Sequence, residues 1–152
     1  MTTDDKKRTL IRYRMTQAKE SLDEARYLLE GDKSLRSVAN RVYYSMFYAV
    51  LALLVNEPYS SSKHSGVLSY FNRRYIKDSV FPEELGIAIN RAFDIRQRGD
   101  YKEDIILEKE QISNLIEQAA IFIETVEKYL IGGGWLLNPP SPPFPEEEEM
   151  EK

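Results

Sequence analysis

The chain has 152 residues, 42% hydrophobic and 30% charged, with one histidine and no cysteine; this suits one cored domain and excludes disulfides, thiolate nucleophiles and His/Cys metal clusters. No apolar run approaches the roughly 18 residues needed to span a bilayer, and Met1 to Arg8 lacks a hydrophobic signal core, so a cytoplasmic chain away from membranes is expected. The formal charge of −4 resides in the last residues, because Glu146, Glu147, Glu148, Glu149, Glu151 and Lys152 leave 20 basic and 20 acidic residues before them, and a neutral body gives no general support to nucleic-acid binding beyond a local patch.

Helical periodicity dominates from the start. Ile11, Met15, Ala18, Leu22, Ala25 and Leu29 alternate steps of four and three, which lines them along one stripe of a helix. Lys19, Glu20, Asp23, Glu24 and Arg26 form its solvated face, and Gly31 supplies a stop. A second helix is expected from Asp32 or Ser34 to about Asn56, with Pro58 just beyond. From Val38 to Val55 it has almost no polar face. Such a helix is covered on several sides, one within the bundle and another by a partner subunit.

Ser62 is a candidate cap for a short helix carrying Val67, Leu68, Tyr70, Phe71 and Tyr75. Pro82, Glu83 and Glu84 read as the first turn of the next helix, where proline fits and acids meet the positive dipole end. Its stripe is Leu85, Ala88, Ile89, Ala92, Phe93 and Ile95, with Gly99 as its end. A last helix from near Leu107 carries Ile112, Ile116, Ala119, Ile123, Val126 and Leu130, before Gly132, Gly133 and Gly134 break it. Trp135, Leu136 and Leu137 form a small apolar group, expected to be loosely ordered. The pattern predicts an all-α, antiparallel up-and-down four-helix bundle with an additional short helix over residues 8–131. Residues 132–152 read as a Gly/Pro-rich acidic tail in which disorder is expected.

Most catalytic inventories fail. The triple glycine lacks the strand, lysine and hydroxyl context of a phosphate loop, and capping explains Glu83 and Glu84 better than acid–base chemistry. No metal and no cofactor are expected. One cluster remains: Arg96, Gln97, Arg98, Gly99, Asp100 and Tyr101 at a helix end. Arginine offers a two-pronged phosphate fork, and tyrosine a stacking face with a hydroxyl. The plainer reading is a helix C-terminus whose arginines complement the dipole, with Arg96 and Asp100 paired four apart. Arg41, inside an otherwise apolar helix, requires either an acidic partner such as Asp94 or Asp100 or a place lining a cleft. His64 admits a packing or capping role. Tyr43, Tyr44 and Tyr48 are core and interface residues more often than stacking platforms.

Three stretches taken together carry more. Asn40-Arg41-Val42-Tyr43-Tyr44-Ser45-Met46-Phe47-Tyr48-Ala49, Lys63-His64-Ser65-Gly66 and Arg96-Gln97-Arg98-Gly99-Asp100-Tyr101 resemble, in order and spacing, the signature stretches of the HEPN family, in its branch of small stand-alone proteins. The resemblance runs from about Leu10 to Leu130. It implies a helical bundle that forms a homodimer and brings two arginine motifs into one cleft. It also implies a nucleotidyltransferase partner protein within a toxin–antitoxin or nucleotide-signalling module. In that cleft Arg96, Arg98, Asp100, Tyr101 and Arg41 would bind RNA or nucleotide, with Arg96 and Tyr101 as the catalytic pair if chemistry occurs.

One departure concerns that chemistry. Ribonuclease members of the family resemble one another in an arginine followed, four to six residues on, by histidine. Here the window after Arg96 holds Tyr101, Lys102 and Glu103, and that after Arg98 holds Glu103, Asp104 and Ile105. A phenol with a reference pKa near 10 is a poor substitute for imidazole in proton transfer near neutrality. The alternatives are a metal-independent ribonuclease working without that histidine, or a non-catalytic dimeric protein-interaction module. Tyr101 is also a candidate acceptor of a nucleotidyl group from the partner.

Overall fold

The computed structural model describes residues 2–59, 61–101 and 106–137, without the side chains of Asp100 and Tyr101. The acidic tail from residue 138 onward therefore lies outside the described residues. Among the described residues five α-helices follow one another: α1 (Thr3–Glu30), α2 (Leu35–Leu54), α3 (His64–Phe71), α4 (Glu83–Tyr101) and α5 (Lys109–Gly132). A π-helical turn, Asn72–Lys77, continues α3. Among the described residues there is no strand, and the architecture is the all-α bundle expected.

Each helix forms for local reasons and stays for tertiary ones. At the start of α1 the Thr2 hydroxyl accepts from the Asp5 amide at 3.1 Å while the Asp5 carboxylate accepts from the Thr2 amide at 3.2 Å. This reciprocal cap satisfies two otherwise orphaned donors. It also lowers the Asp5 pKa, chiefly through these bonds to Thr2. The α1 stripe then buries Ile11, Met15, Ala18, Leu22 and Ala25. At the far end Asp32, not Gly31, takes the left-handed conformation (φ 53°), and the Lys33 amide closes back on the Leu28 carbonyl at 2.9 Å.

Helix α2 is the axis of the bundle. It packs against α1, α3, α4 and α5 within one chain, burying Val38, Val42, Tyr43, Met46, Phe47, Val50 and Leu53 among others. Four intramolecular neighbours thus account for most of its apolar surface, and Tyr44, Tyr48, Leu51 and Val55 remain partly buried. Helix α5 closes on α1, α2 and α4 through Ile112, Leu115, Ile116, Ala119, Phe122 and Ile123. Burying one such side chain contributes about 2–3 kcal/mol.

Three local expectations are corrected. Lys63, not Ser62, precedes the first turn of α3, without a side-chain cap, because Ser61 takes the neighbouring role by accepting from the Lys63 amide at 3.1 Å. Gly99 does not end α4, which runs on to Tyr101. Gly99 is buried, and an added Cβ would meet only Arg36 Cγ, at 3.8 Å. Trp135 is not loose: it and Leu136 pack against the core, with the Arg8 guanidinium 5.1 Å over the indole and Arg8 Nε donating to the Gly134 carbonyl at 3.3 Å.

Two glycines permit close approaches. A Cβ on Gly86 would stand 2.9 Å from Asn72 Oδ1 and 3.2 Å from Ile76 Cγ1, so α4 lies tight against the π-helical turn. A Cβ on Gly66 would stand 2.8 Å from both the Tyr59 hydroxyl and Ser61 Oγ. The chain before α3 therefore folds directly over its first turn, which fixes where His64 begins.

Candidate functional site

The site is built where α2, α3 and α4 meet. Tyr43 and Tyr44 are consecutive on α2 and so diverge by about 100° around the axis. Tyr43 is fully buried while Tyr44 stays partly exposed. Their rings meet edge to face, centroids 5.3 Å apart. Arg96, from the last turns of α4, lies with its guanidinium carbon 5.3 Å from the Tyr43 ring centre and 5.1 Å from that of Tyr44. Its Nη2 donates to the Tyr44 hydroxyl at 3.2 Å. Two rings and one hydroxyl thus position a half-buried cation, a geometry in which each ring contributes roughly 0.5–2 kcal/mol depending on desolvation.

His64, at the start of α3, completes the cluster. Its ring stacks on Phe47 at 4.2 Å between centroids, with planes 16° apart. Tyr44 presents its edge at 5.8 Å. The Tyr43 hydroxyl and His64 Nδ1 share a 2.9 Å hydrogen bond. Burial and the nearby Arg96 charge both push the His64 pKa below its usual value, because each disfavours a second positive charge. Burial raises the Tyr43 pKa, overriding the opposing pull of Arg96. At neutral pH the pair is a neutral phenol bonded to a neutral imidazole.

The remaining sequence candidates divide. Arg41 lies 5.3 Å over the Tyr44 ring, so it shares that tyrosine with Arg96. It is not buried, and its acidic partner is Glu24 of α1 at 3.5 Å rather than Asp94; Asn40 also accepts from it at 2.9 Å. The reason is position: Arg41 stands at the edge of α2 that faces α1 and solvent. Asp94 instead pairs with Arg98, one turn on, at 3.0 Å. Both of those side chains are more than half exposed, so this pair is worth little and leaves Arg98 at the rim. Asp100 and Tyr101 occupy the last turn of α4, but their side chains lie outside the described residues. The structure therefore brings Arg96, Arg41, Tyr43, Tyr44 and His64 together.

His64 is the member that sequence reasoning left unplaced. Its signal was its presence in the second signature stretch, yet only the fold shows that α3 delivers it onto Phe47 and Tyr43. Among the described residues no group of three His, Asp or Glu side chains is arranged to hold a metal ion. No described helix is long and apolar enough to cross a membrane.

Comparison with known proteins places the chain among similar sequences. A Thermotoga maritima protein of the UPF0332 group is 41% identical over 126 residues, covering 83% of this chain and 95% of its own. A Methanocaldococcus jannaschii protein named as a candidate toxin is 37% identical over 116 residues, covering 72% and 79% respectively. A second so named from that organism is 30% identical over 113 residues, covering 74% and 83%. The HEPN domain model matches residues 11–129, and the chain belongs to the HEPN domain family.

Proposed function

We propose that this chain is a toxin-type HEPN protein that acts as a homodimer with a nucleotidyltransferase partner and binds RNA or nucleotide phosphate at the Arg96 cluster. The observation that carries the proposal is the Arg96 guanidinium held against Tyr43 and Tyr44, a preorganised cation beside the partly exposed Tyr44 ring, which is able to stack on a base. Arg41 from α2 and Arg98 from α4 itself add basic groups nearby, and the names of two relatives supply the toxin reading. Expressing the chain alone should arrest growth, and Arg96→Ala should relieve the arrest at unchanged protein level. Co-expression with the neighbouring gene product should neutralise the toxicity and yield a co-purifying nucleotidyltransferase. Unaltered toxicity of Arg96→Ala, or a neighbour with no nucleotidyltransferase and no binding, would count against it.

A second reading, a metal-independent ribonuclease, is favoured by one observation: an imidazole does stand beside Arg96, although it comes from α3. Purified wild-type protein that leaves RNA intact in the presence of a metal chelator would dispose of it.

A further inference from the structure

His64 is the only histidine of the chain, and packing alone does not account for it. Phenylalanine would stack on Phe47 equally well at 4.2 Å, but it would strand the buried Tyr43 hydroxyl that now bonds Nδ1 at 2.9 Å. That bond takes up Nδ1 and leaves Nε2 as the nitrogen that Tyr43 does not engage, in a partly exposed residue. Among the described residues, the titratable and charged groups facing the ring are Tyr43 and Tyr44 from α2 and Arg96 from α4; its chain neighbour Lys63 is exposed. No described carboxylate bonds to the imidazole. A histidine set beside a guanidinium without such a carboxylate is held neutral, and an anion arriving next to both groups reverses that preference.

We propose that His64 and Arg96 form a phosphate-binding pair, in which the imidazole takes up a proton as a phosphate group seats against Nε2. The proposal rests on the reading that the Arg96 cluster takes a phosphate-bearing ligand, and it adds a residue outside the arginine stretch. Neutral His64 donates or accepts one bond at Nε2, depending on its tautomer. Once protonated it is a charge-assisted donor, and Arg96 becomes its co-ligand rather than its repulsive neighbour. Binding therefore tightens as pH falls through the range in which the bound imidazole is charged and the free one is not.

Because the chain has one histidine, its ring resonances in NMR spectra of the untagged protein read the event directly. Oligouridylate is the RNA probe, its diesters ionised throughout the titration, and uridine 5′-monophosphate is the free-nucleotide probe. In the free protein the His64 titration should lie below the usual midpoint of 6.5. With saturating probe it should rise by about one unit, which corresponds to roughly tenfold tighter binding at the acid limit than at the alkaline one. The probe giving the larger rise identifies the source of the phosphate. His64→Gln should keep weaker, pH-independent binding of oligouridylate, and His64→Asn, which retains a bonding group near Tyr43, should do the same. If oligouridylate or the nucleotide binds in an Arg96-dependent way and the His64 titration does not move, the His64 assignment is wrong and the Arg96 site stands. If neither probe binds the wild-type protein, both readings fall.

Discussion

The bond between Tyr43 and His64 ties the candidate site to the stability of the bundle, and Tyr43→Phe isolates it. The substitution removes one oxygen and leaves the ring, which keeps its neighbours Phe47 at 5.6 Å, Phe93 at 5.7 Å and Tyr44 at 5.3 Å. No cavity larger than a hydroxyl opens, so the cost is that of the lost hydrogen bond. A bond of this kind contributes about 1 kcal/mol net, and an unpaired Nδ1 facing an aromatic ring adds a further fraction. The partial exposure of His64 admits water to part of that ring and limits the addition. The expected loss is about 1.5 kcal/mol near pH 8. In urea, with a slope of roughly 1.5–2 kcal/mol per molar for a domain this size, the midpoint falls by somewhat under 1 M. His64→Phe supplies the second edge of a double-mutant cycle because it preserves the stack on Phe47. The coupling between the two substitutions should be about 1 kcal/mol. If Tyr43→Phe costs the same in both backgrounds, the bond contributes nothing and the reasoning fails. A loss of about 4 kcal/mol or more would indicate instead that the core around Tyr43 had collapsed.

Other substitutions test other parts of the structure. Glu57 accepts from the Tyr70 hydroxyl at 2.9 Å and the Tyr75 hydroxyl at 2.8 Å, with Arg74 at 3.4 Å; Glu57→Ala should cost about 2–3 kcal/mol because it orphans two phenols, whereas Arg74→Ala should cost under about 1 kcal/mol. Equal losses in chemical denaturation would contradict this ranking. Gly86→Ala gains about 1 kcal/mol of helix propensity but drives a methyl into Asn72 and Ile76, which costs roughly 1–3 kcal/mol. The melting temperature should therefore fall by several degrees, and a rise would show that the π-helical turn yields freely. Arg8→Ala should shift the emission of the single tryptophan to the red while changing stability by less than about 1 kcal/mol; unshifted emission would mean that Trp135 is held without Arg8. Because the folded His64 has a lowered pKa, the unfolded chain binds the proton more readily. Its contribution to stability is therefore fully present above about pH 6.5 and is lost as pH falls through the lower folded value. His64→Gln should flatten that part of the stability profile, measured by urea midpoints across pH, and an unchanged slope would assign the acid sensitivity elsewhere.

Helices α1 and α5 were legible because their burial is one-sided. The stripe from Ile11 to Ala25 and that from Ile112 to Leu130 are buried as their spacing requires. Arg96 stood out in the sequence from its chemistry and its place near a helix end, and the structure sets it against Tyr43 and Tyr44. What the sequence did not disclose depends on contacts between distant elements. Gly99 looked like a stop because glycine disfavours helix, but α4 runs on past it to Tyr101 with Gly99 buried. Arg41 looked buried among apolar letters, yet it sits on the α2 edge where Glu24 reaches it. The approach of His64 to Tyr43 spans 21 positions and crosses a loop whose path depends on Gly66. No local periodicity encodes that approach. The π-helical turn is equally silent in sequence, because its register is set by Asn72 bonding to the Leu68 carbonyl and to Asn90 on α4.

The clasp between Arg8 and the Gly134–Trp135 segment bears on how the chain acquires its fold. These groups are separated by 126 positions, whereas α1 and α2 are joined by a short turn. During synthesis the α1–α2 hairpin can pair as soon as Leu54 has emerged, since contacts local in sequence form first. The faces of α2 reserved for α4 and α5 must then wait uncovered until most of the remaining chain has been made. Completion of the core is consequently a late, nonlocal event. The first turns of α1 and the end of α5 meet only when it is over, so capture of Trp135 by Arg8 is a marker of finished folding rather than a step that guides it.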